Sequence, residues 1–312
     1  MEVLTRILAA AALTLAAGCS FLRDPTPVEA MGEQPSVHAL LMTGSDTVKL
    51  LLQMVGPGTP GHDPVRARPI TAAEVSLAVG GQSVRLAEAP AGFPGCSAQS
   101  VGAAVPATPG CYAAVLPGGV RPGATYDLSI RLAGGGTIEG KATALSALRL
   151  ESPTAGTRIH VTSRGYSGFD EATRVPLRLR GAERAPGAAV DFLPQVVYSR
   201  GQALTEFYCS VEYPRTEVYT RPATGDVDFR LYGLSCVPRT PAGTQPDPQF
   251  RADSVRAVLR VVAFDSAYTR YAALQEEDAI TLRDARSGVT GALGLFAAAA
   301  RVDTEVMLIP QN

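Results

Sequence analysis

Hydrophobic and polar residues alternate along much of this chain. Val48, Leu50, Leu52 and Met54 share one side of the run Thr47–Met54. Period two sends successive side chains to opposite faces, the mark of a half-buried strand. Loop residues fill Pro57–Pro69. Alternation returns at Glu74–Val79, through Val75, Leu77 and Val79. Gly80-Gly81 separates that run from Gln82–Leu86 and predicts a hairpin, because glycine tolerates the positive φ of primed turns. Tyr112–Leu116 reads as a short strand and Pro117–Gly123 as a turn. Tyr126, Leu128, Ile130 and Leu132 give the cleanest alternation, and Gly134-Gly135-Gly136 turns it back into Thr137–Ala144. No window in this stretch has helical period. Residues 37–150 are therefore predicted to form one β-sandwich module.

Glu151–Gly156 reads as a linker. Beyond it, strands are predicted at Arg158–Thr162, Val175–Leu179, Val190–Tyr198, Glu206–Tyr213, Val227–Val237, Val255–Phe264 and Val302–Ile309. They are turn-bounded and rich in β-branched and aromatic residues, which predicts a second sandwich or jelly-roll-like domain over 157–310. Val255–Phe264 is apolar at most positions, as a central strand covered on both faces would be. Pro238–Pro248 is an extended loop. One short helix is predicted, with Ser266 capping Ala267–Glu277 and Tyr268, Tyr271 and Leu274 on one face. Glu276, Glu277 and Asp278 at its end oppose the helix dipole. The fold class is thus all-β.

Composition narrows the function classes. The 312 residues hold 28 Lys+Arg against 29 Asp+Glu, a net charge of −1, which leaves no basic footprint for nucleic acid. Hydrophobic content of 46% with 18% charged residues excludes global disorder.

The first residues, MEVLTRILAAAALTLAAGCS, carry one arginine before the apolar run Ile7–Ala17. That run is too short to span a bilayer, which needs about 20 residues. It fits the core of a secretory signal over 1–18. Leu15-Ala16-Ala17-Gly18-Cys19 resembles the bacterial lipobox, in which the cysteine is acylated and becomes the new N-terminus. The resemblance implies lipidation at Cys19. Ser20 follows it where some inner-membrane lipoproteins carry Asp, so the outer membrane is the expected location. Residues 19–36, with Pro25, Pro27 and Pro35, read as a tether. Disulfides persist in that compartment. Cys96, Cys111, Cys209 and Cys236 remain, and four cysteines allow three pairings. Neighbour pairing, Cys96–Cys111 and Cys209–Cys236, is the simplest. No C-x-x-C and no histidine beside a cysteine argues for zinc.

Ala73-Glu74-Val75-Ser76-Leu77, Gly110-Cys111-Tyr112 and Arg121-Pro122-Gly123-Ala124-Thr125-Tyr126-Asp127-Leu128-Ser129-Ile130 resemble the pattern of immunoglobulin-like modules in bacterial surface lipoproteins. Pro-Gly makes the turn, and the tyrosine opens the next strand with its hydroxyl near the surface. Phe264–Tyr271 and Ser287–Phe296 extend the likeness. With the lipobox, the chain resembles the lipoproteins grouped as "domain of unknown function 4249". That resemblance implies an envelope location and a TonB-dependent outer-membrane receptor as partner. It supplies no catalytic residues.

Catalytic signatures are sparse. Gly165-Tyr166-Ser167-Gly168 lacks the spacing of a nucleophile elbow. Gly288, Gly291 and Gly294 recur every third residue and read as a bend entering the last strand. His38, His62 and His160 are scattered. Asp226 and Asp228 share a strand face, as a calcium site would use. Asp170-Glu171 and Glu276–Asp278 are acid pairs of the kind glycosidases place across a cleft. Tyr198, Tyr208, Tyr213, Tyr219, Tyr232, Tyr268 and Tyr271 concentrate in the second domain and suit a recognition surface. The expectation is a non-catalytic lipoprotein, without cofactor or metal, that binds or supports a partner at the outer membrane. A carbohydrate- or surface-binding adhesin module is the alternative, and a hydrolase the third reading. The small-molecule or glycan ligand is not specified by the sequence.

Overall fold

The computed structural model describes residues 32–56, 66–90, 93, 96, 109–162, 173–204, 206–212, 219–220, 225–231, 233–239, 251–276 and 286–311. Cys19, His62 and Gly165–Gly168 lie outside them. Two compact units are distinguished. In the smaller, Met1–Gln34 with Val55–Ala67, the Glu33 side chain lies beside Gly56. The larger, Pro35–Met54 with Arg68–Asn312, carries the fold. It is all-β around one described helix.

The first strands are β1 (Gln34–Met42), β2 (Thr47–Gly56), β3 (Arg66–Pro69), β4 (Glu74–Val79), β5 (Gln82–Glu88), β6 (Cys111–Val115), β7 (Thr125–Arg131) and β8 (Thr137–Thr143). The alternating runs fold as predicted, within a residue or two at their ends. β4, β7 and β8 pair antiparallel in one layer. β1, β2 and β6 lie in the other. β5 turns the corner between them. Its first part pairs with β4, and its last residues, Ala87 and Glu88, lie opposite Ala113 and Tyr112 of β6. Val75, Leu77, Leu128 and Ile130 from the first layer join Val37, Leu41, Leu50 and Leu52 from the second in one buried cluster. Tyr126 is fully buried, and its hydroxyl accepts the Arg121 N–H at 2.8 Å. That hydrogen bond fastens the Pro-Gly turn to the strand it opens.

The chain continues as β9 (Arg149–Ser152), β10 (Arg158–Thr162), β11 (Thr173–Arg180), β12 (Gly187–Ser199), β13 (Gln202–Leu204), β14 (Phe207–Glu212), β15 (Tyr219–Thr220), β16 (Asp226–Leu231), β17 (Gly233–Pro238) and β18 (Ser254–Phe264). Helix α1 (Ser266–Glu276), β19 (Arg286–Ser287), β20 (Val289–Thr290) and β21 (Leu293–Gln311) follow. β16, β11 and β9 form a three-stranded sheet opposite β12, β18 and β21, and Phe192 meets Phe229 between the two at 5.6 Å.

Several details differ from the sequence expectation. The end of the expected loop, Arg66–Pro69, is strand β3 and pairs with β2. Gln34–Ser36, expected in the tether, open strand β1. Part of the expected linker, Glu151 and Ser152, is strand, paired with β11. The single run Val227–Val237 is two strands in different sheets. Its inward positions are odd through Leu231 and even from Leu234, and that change of phase turns the chain to a new partner. β18 is central, between β12 and β21, but only one of its faces is fully buried. Arg256, Val258, Arg260 and Val262 line the other, half-exposed. The last strand begins at Leu293, well before Val302, and Ala297–Ala300 within it are buried on both faces.

That early half of β21 binds the two ends of the described chain. β1 pairs with it in parallel from Ser36↔Leu293 to Met42↔Ala299. The stretches expected as separate modules are therefore hydrogen-bonded side by side, and their apolar residues belong to one cluster. The recurring glycines are the bend entering this strand. Gly288 has φ +72 and Gly294 φ +102. A Cβ on Gly288 would run into the Phe296 carbonyl oxygen, and one on Gly294 into that of Val37.

Candidate functional site

Helix α1 starts from a half-buried carboxylate. Asp265, not the expected Ser266, is the cap. Its Oδ1 accepts the Tyr268 N–H at 2.9 Å, and its Oδ2 accepts the Ala298 N–H of β21 at 2.8 Å. One side chain thus caps the N-terminus of the helix and pins it to the sheet. Burial pushes the Asp265 carboxyl upward, and the backbone N–H donors oppose that shift. Tyr268 stacks on Phe264 with ring centroids 3.9 Å apart. The Ser287 hydroxyl donates to the Ala267 carbonyl at 2.7 Å and ties the other side of the helix down. Asp265→Asn leaves one acceptor for two buried N–H groups and is expected to cost about 1–2 kcal/mol. Faster hydrogen exchange at the Tyr268 and Ala298 amides checks it.

Under this helix lies a serine–histidine contact. Ser36 Oγ is 3.2 Å from His38 Nε2 on the same face of β1, and the Tyr271 ring meets the imidazole edge-on at 5.7 Å. Ser36 is only 5% exposed. Among the described residues no carboxylate orients the imidazole, so the contact has two members of a triad and not the third. Burial lowers the His38 pKa below its ordinary 6.5. The unfolded chain therefore takes up the proton first as pH falls. The stability His38 allows is full above pH 6.5 and is lost as pH falls through the lowered folded value. The melting temperature of the parent is expected to drop more steeply with acidification than that of His38→Phe. Parallel slopes in a thermal series would reject this assignment.

A recess beside an aromatic ring lies further along β1 and β2. Leu40, Met42, Ser45, Thr47, Lys49 and Phe93 line a groove of about 350 Å³. The Phe93 N–H donates to the Pro90 carbonyl and its carbonyl accepts the Cys96 N–H, each at 3.1 Å. Cys96 is in turn bonded to Cys111, the first residue of β6. The disulfide thus fixes Cys96, whose N–H holds the Phe93 carbonyl. The Lys49 ammonium sits 5.8 Å from the ring centroid. Apolar side chains on the sheet, an aromatic wall and one cation suit a ligand with an apolar body and a negative group.

A second groove, about 590 Å³, runs between β7, β8 and β20 and is lined by Asp127, Ser129, Glu139, Lys141 and Thr290. Its Lys141–Asp127 pair, at 3.2 Å, is exposed and adds little energy.

The remaining expected site residues are dispersed. Cys209 and Cys236 are bonded to each other across β14 and β17, where they lie directly opposite. Both disulfides are the neighbour pairs. Asp226 and Asp228 face Arg178 and Arg174, at 3.4 and 3.9 Å. Among the described residues no three metal-ligating side chains converge. His160 is exposed on β10. Tyr208 is 70% exposed on β14, Tyr198 is half-buried, and Tyr268 and Tyr271 pack under α1. Tyr213, Tyr232 and Asp170-Glu171 lie outside the described residues. Phe93 was not singled out in the sequence. Its one readable signal is its place three residues before a cysteine. Among the described residues no helix is long and apolar enough to cross a membrane.

No family model and no curated protein matches the chain. Among solved structures, a cycloalternan-degrading enzyme from Trueperella pyogenes, in complex with a covalent intermediate, aligns over 85% of this chain at 12% identity with a TM-score of 0.24. The chain spans 34% of that enzyme's length. The CFA/I enterotoxigenic E. coli adhesin CfaE aligns over 89% of this chain and 87% of its own, at 9% identity and a TM-score of 0.19. At these scores neither structure carries an assignment to this chain.

Proposed function

We propose that the chain is a lipid-anchored envelope protein that works by binding, not catalysis, as an accessory at the outer membrane. The observation that supports binding is the groove of Leu40, Met42 and Lys49 with Phe93 held over it by the Cys96–Cys111 bond. An aromatic wall fixed by a covalent staple loses little entropy when a partner orders it further. Two disulfides in the folded unit suit an oxidising compartment. The lipobox supplies the anchor at Cys19, and a TonB-dependent receptor is the partner that the family resemblance implies.

The test is purification of the full chain from its own membranes in mild detergent. The N-terminal peptide is expected to carry acyl chains on Cys19, and Cys19→Ala to lose them together with membrane retention. A partner is expected to come with the parent and to be lost from Phe93→Asp. An unmodified N-terminus would overturn the anchor. A partner held equally by Phe93→Asp would overturn the groove.

A further inference from the structure

The outward face of the β9–β11–β16 sheet is an arginine array. Arg149, Arg174, Arg178, Arg180 and Arg230 all point away from the core and are exposed. Their neighbours in sequence (Val175, Leu177, Leu179, Phe229) are buried, so the period of two sorts guanidinium groups to one side of the sheet and core to the other. Three acids share the face. Asp228, Asp226 and Glu151 pair with Arg174, Arg178 and Arg180 at 3.9, 3.4 and 3.4 Å. Arg149 and Arg230 have no acidic partner among the described residues. The register sets each directly opposite another arginine: Arg174↔Arg230 across β11 and β16, and Arg180↔Arg149 across β11 and β9. Like charges directly opposite each other destabilise a sheet. The surface thus keeps two repulsive pairs, one at each end of β11, that an anionic partner would relieve.

We infer that this face docks onto the phosphate groups of a lipid bilayer. The spacing fits: adjacent strands lie about 4.8 Å apart and same-face residues about 6.8 Å apart, which sets the planar forks in a grid. A guanidinium takes phosphate oxygens two at a time and is weakly hydrated, so it gives up water at modest cost. The three exposed ion pairs are weak enough to exchange an aspartate for a phosphate. The choice of a bilayer as the source of phosphate rests on the lipid anchoring proposed above. An anchored chain meets headgroups at high local concentration, and a weak electrostatic contact then suffices to set its orientation.

The test uses the full acylated chain with vesicles of phosphatidylcholine alone or with phosphatidylglycerol added. Flotation reads anchoring. Phenylglyoxal modification, mapped by peptide mass, reads the face. Labelling of Arg149, Arg174, Arg178 and Arg230 is expected to be lost in the anionic vesicles only and to return at high salt. Arg85, exposed on β5, is the internal reference and should label equally in both. The Arg149→Glu, Arg230→Glu double variant removes both repulsive pairs. It is expected to melt no lower than the parent and to lose the protection of Arg174 and Arg178. A chain that floats with both vesicles and labels equally in both overturns docking and leaves the anchor standing. One that floats only with the anionic vesicles, with the face protected, supports docking and overturns the anchor. Floating with neither overturns both.

Discussion

Alanine at Gly294 is expected to lower the melting temperature by about 10 °C. Two costs add. An L-residue with a side chain in left-handed backbone costs about 1–2 kcal/mol, and Gly294 has φ +102. The new Cβ would also meet the Val37 backbone, its carbonyl oxygen first and its carbon and nitrogen close behind. Backbone hydrogen-bonded into a parallel ladder cannot step aside, so the overpacking penalty of about 1–3 kcal/mol applies in full. The sum is about 2–5 kcal/mol, and each kcal/mol moves the transition of a large domain by about 2–4 °C. Gly118→Ala separates the two terms. Gly118 has φ +77, but a Cβ there has nothing within 4 Å, so strain alone remains, about 1–2 kcal/mol. Equal melting of the two variants in differential scanning calorimetry would show that the contact with β1 is not tight.

Removing the Cys209–Cys236 bond, by alanine at both positions, is expected to cost about 3.5 kcal/mol. The bond closes a loop of 27 residues, and the loss of denatured-state entropy grows with the logarithm of that length. The shorter Cys96–Cys111 loop, with a separation of 15, gives about 3 kcal/mol by the same relation. The longer loop matters for a second reason. β14 and β17 form a two-stranded ladder apart from the larger sheets, and such a ribbon is marginal in water on its own. Reductant should bring the parent down to a level at or below that of the double-alanine variant. A variant that melts within a degree of the parent, and a parent indifferent to reductant, would remove the bond from the stability account.

The sequence made strands legible where one face meets the core and the other meets water. Tyr126, Leu128 and Ile130 are buried while Thr125, Asp127, Ser129 and Arg131 are exposed, and alternation shows this directly. It faded where both faces are covered. In β1 the outward residues Ser36, His38, Leu40 and Met42 lie beneath α1 or beside Phe93, so polar positions no longer mark the strand. The stretch Ala297–Ala300 reads as neither strand nor helix, because alanine has little preference for a sheet. Burial on both sides selects small side chains there and overrides that preference. The phase change between Leu231 and Leu234 was present in the sequence, but a run read for apolar content alone hides it. The cysteine pairs were readable from spacing. The groove was not, since Leu40, Lys49 and Phe93 come from separate segments and only the fold brings them together.

The parallel pairing of β1 with β21 also bears on when this chain can fold. Ser36 and Leu293 are neighbours in space and nearly the whole described chain apart in sequence. β21 touches β1, β10, β18 and β19, so the piece to which the others attach is the last to be synthesised of all the described strands. Closing so long a loop before any pairing rewards it makes folding slow. A polypeptide emerging from a ribosome, or threading through a narrow secretion channel, would expose strands with no partner until that final segment arrives. Late completion keeps such a thread pliable. It also lengthens the time in which bare strand edges can meet those of another molecule, so yield on overproduction should depend on how fast the C-terminal strand follows the rest.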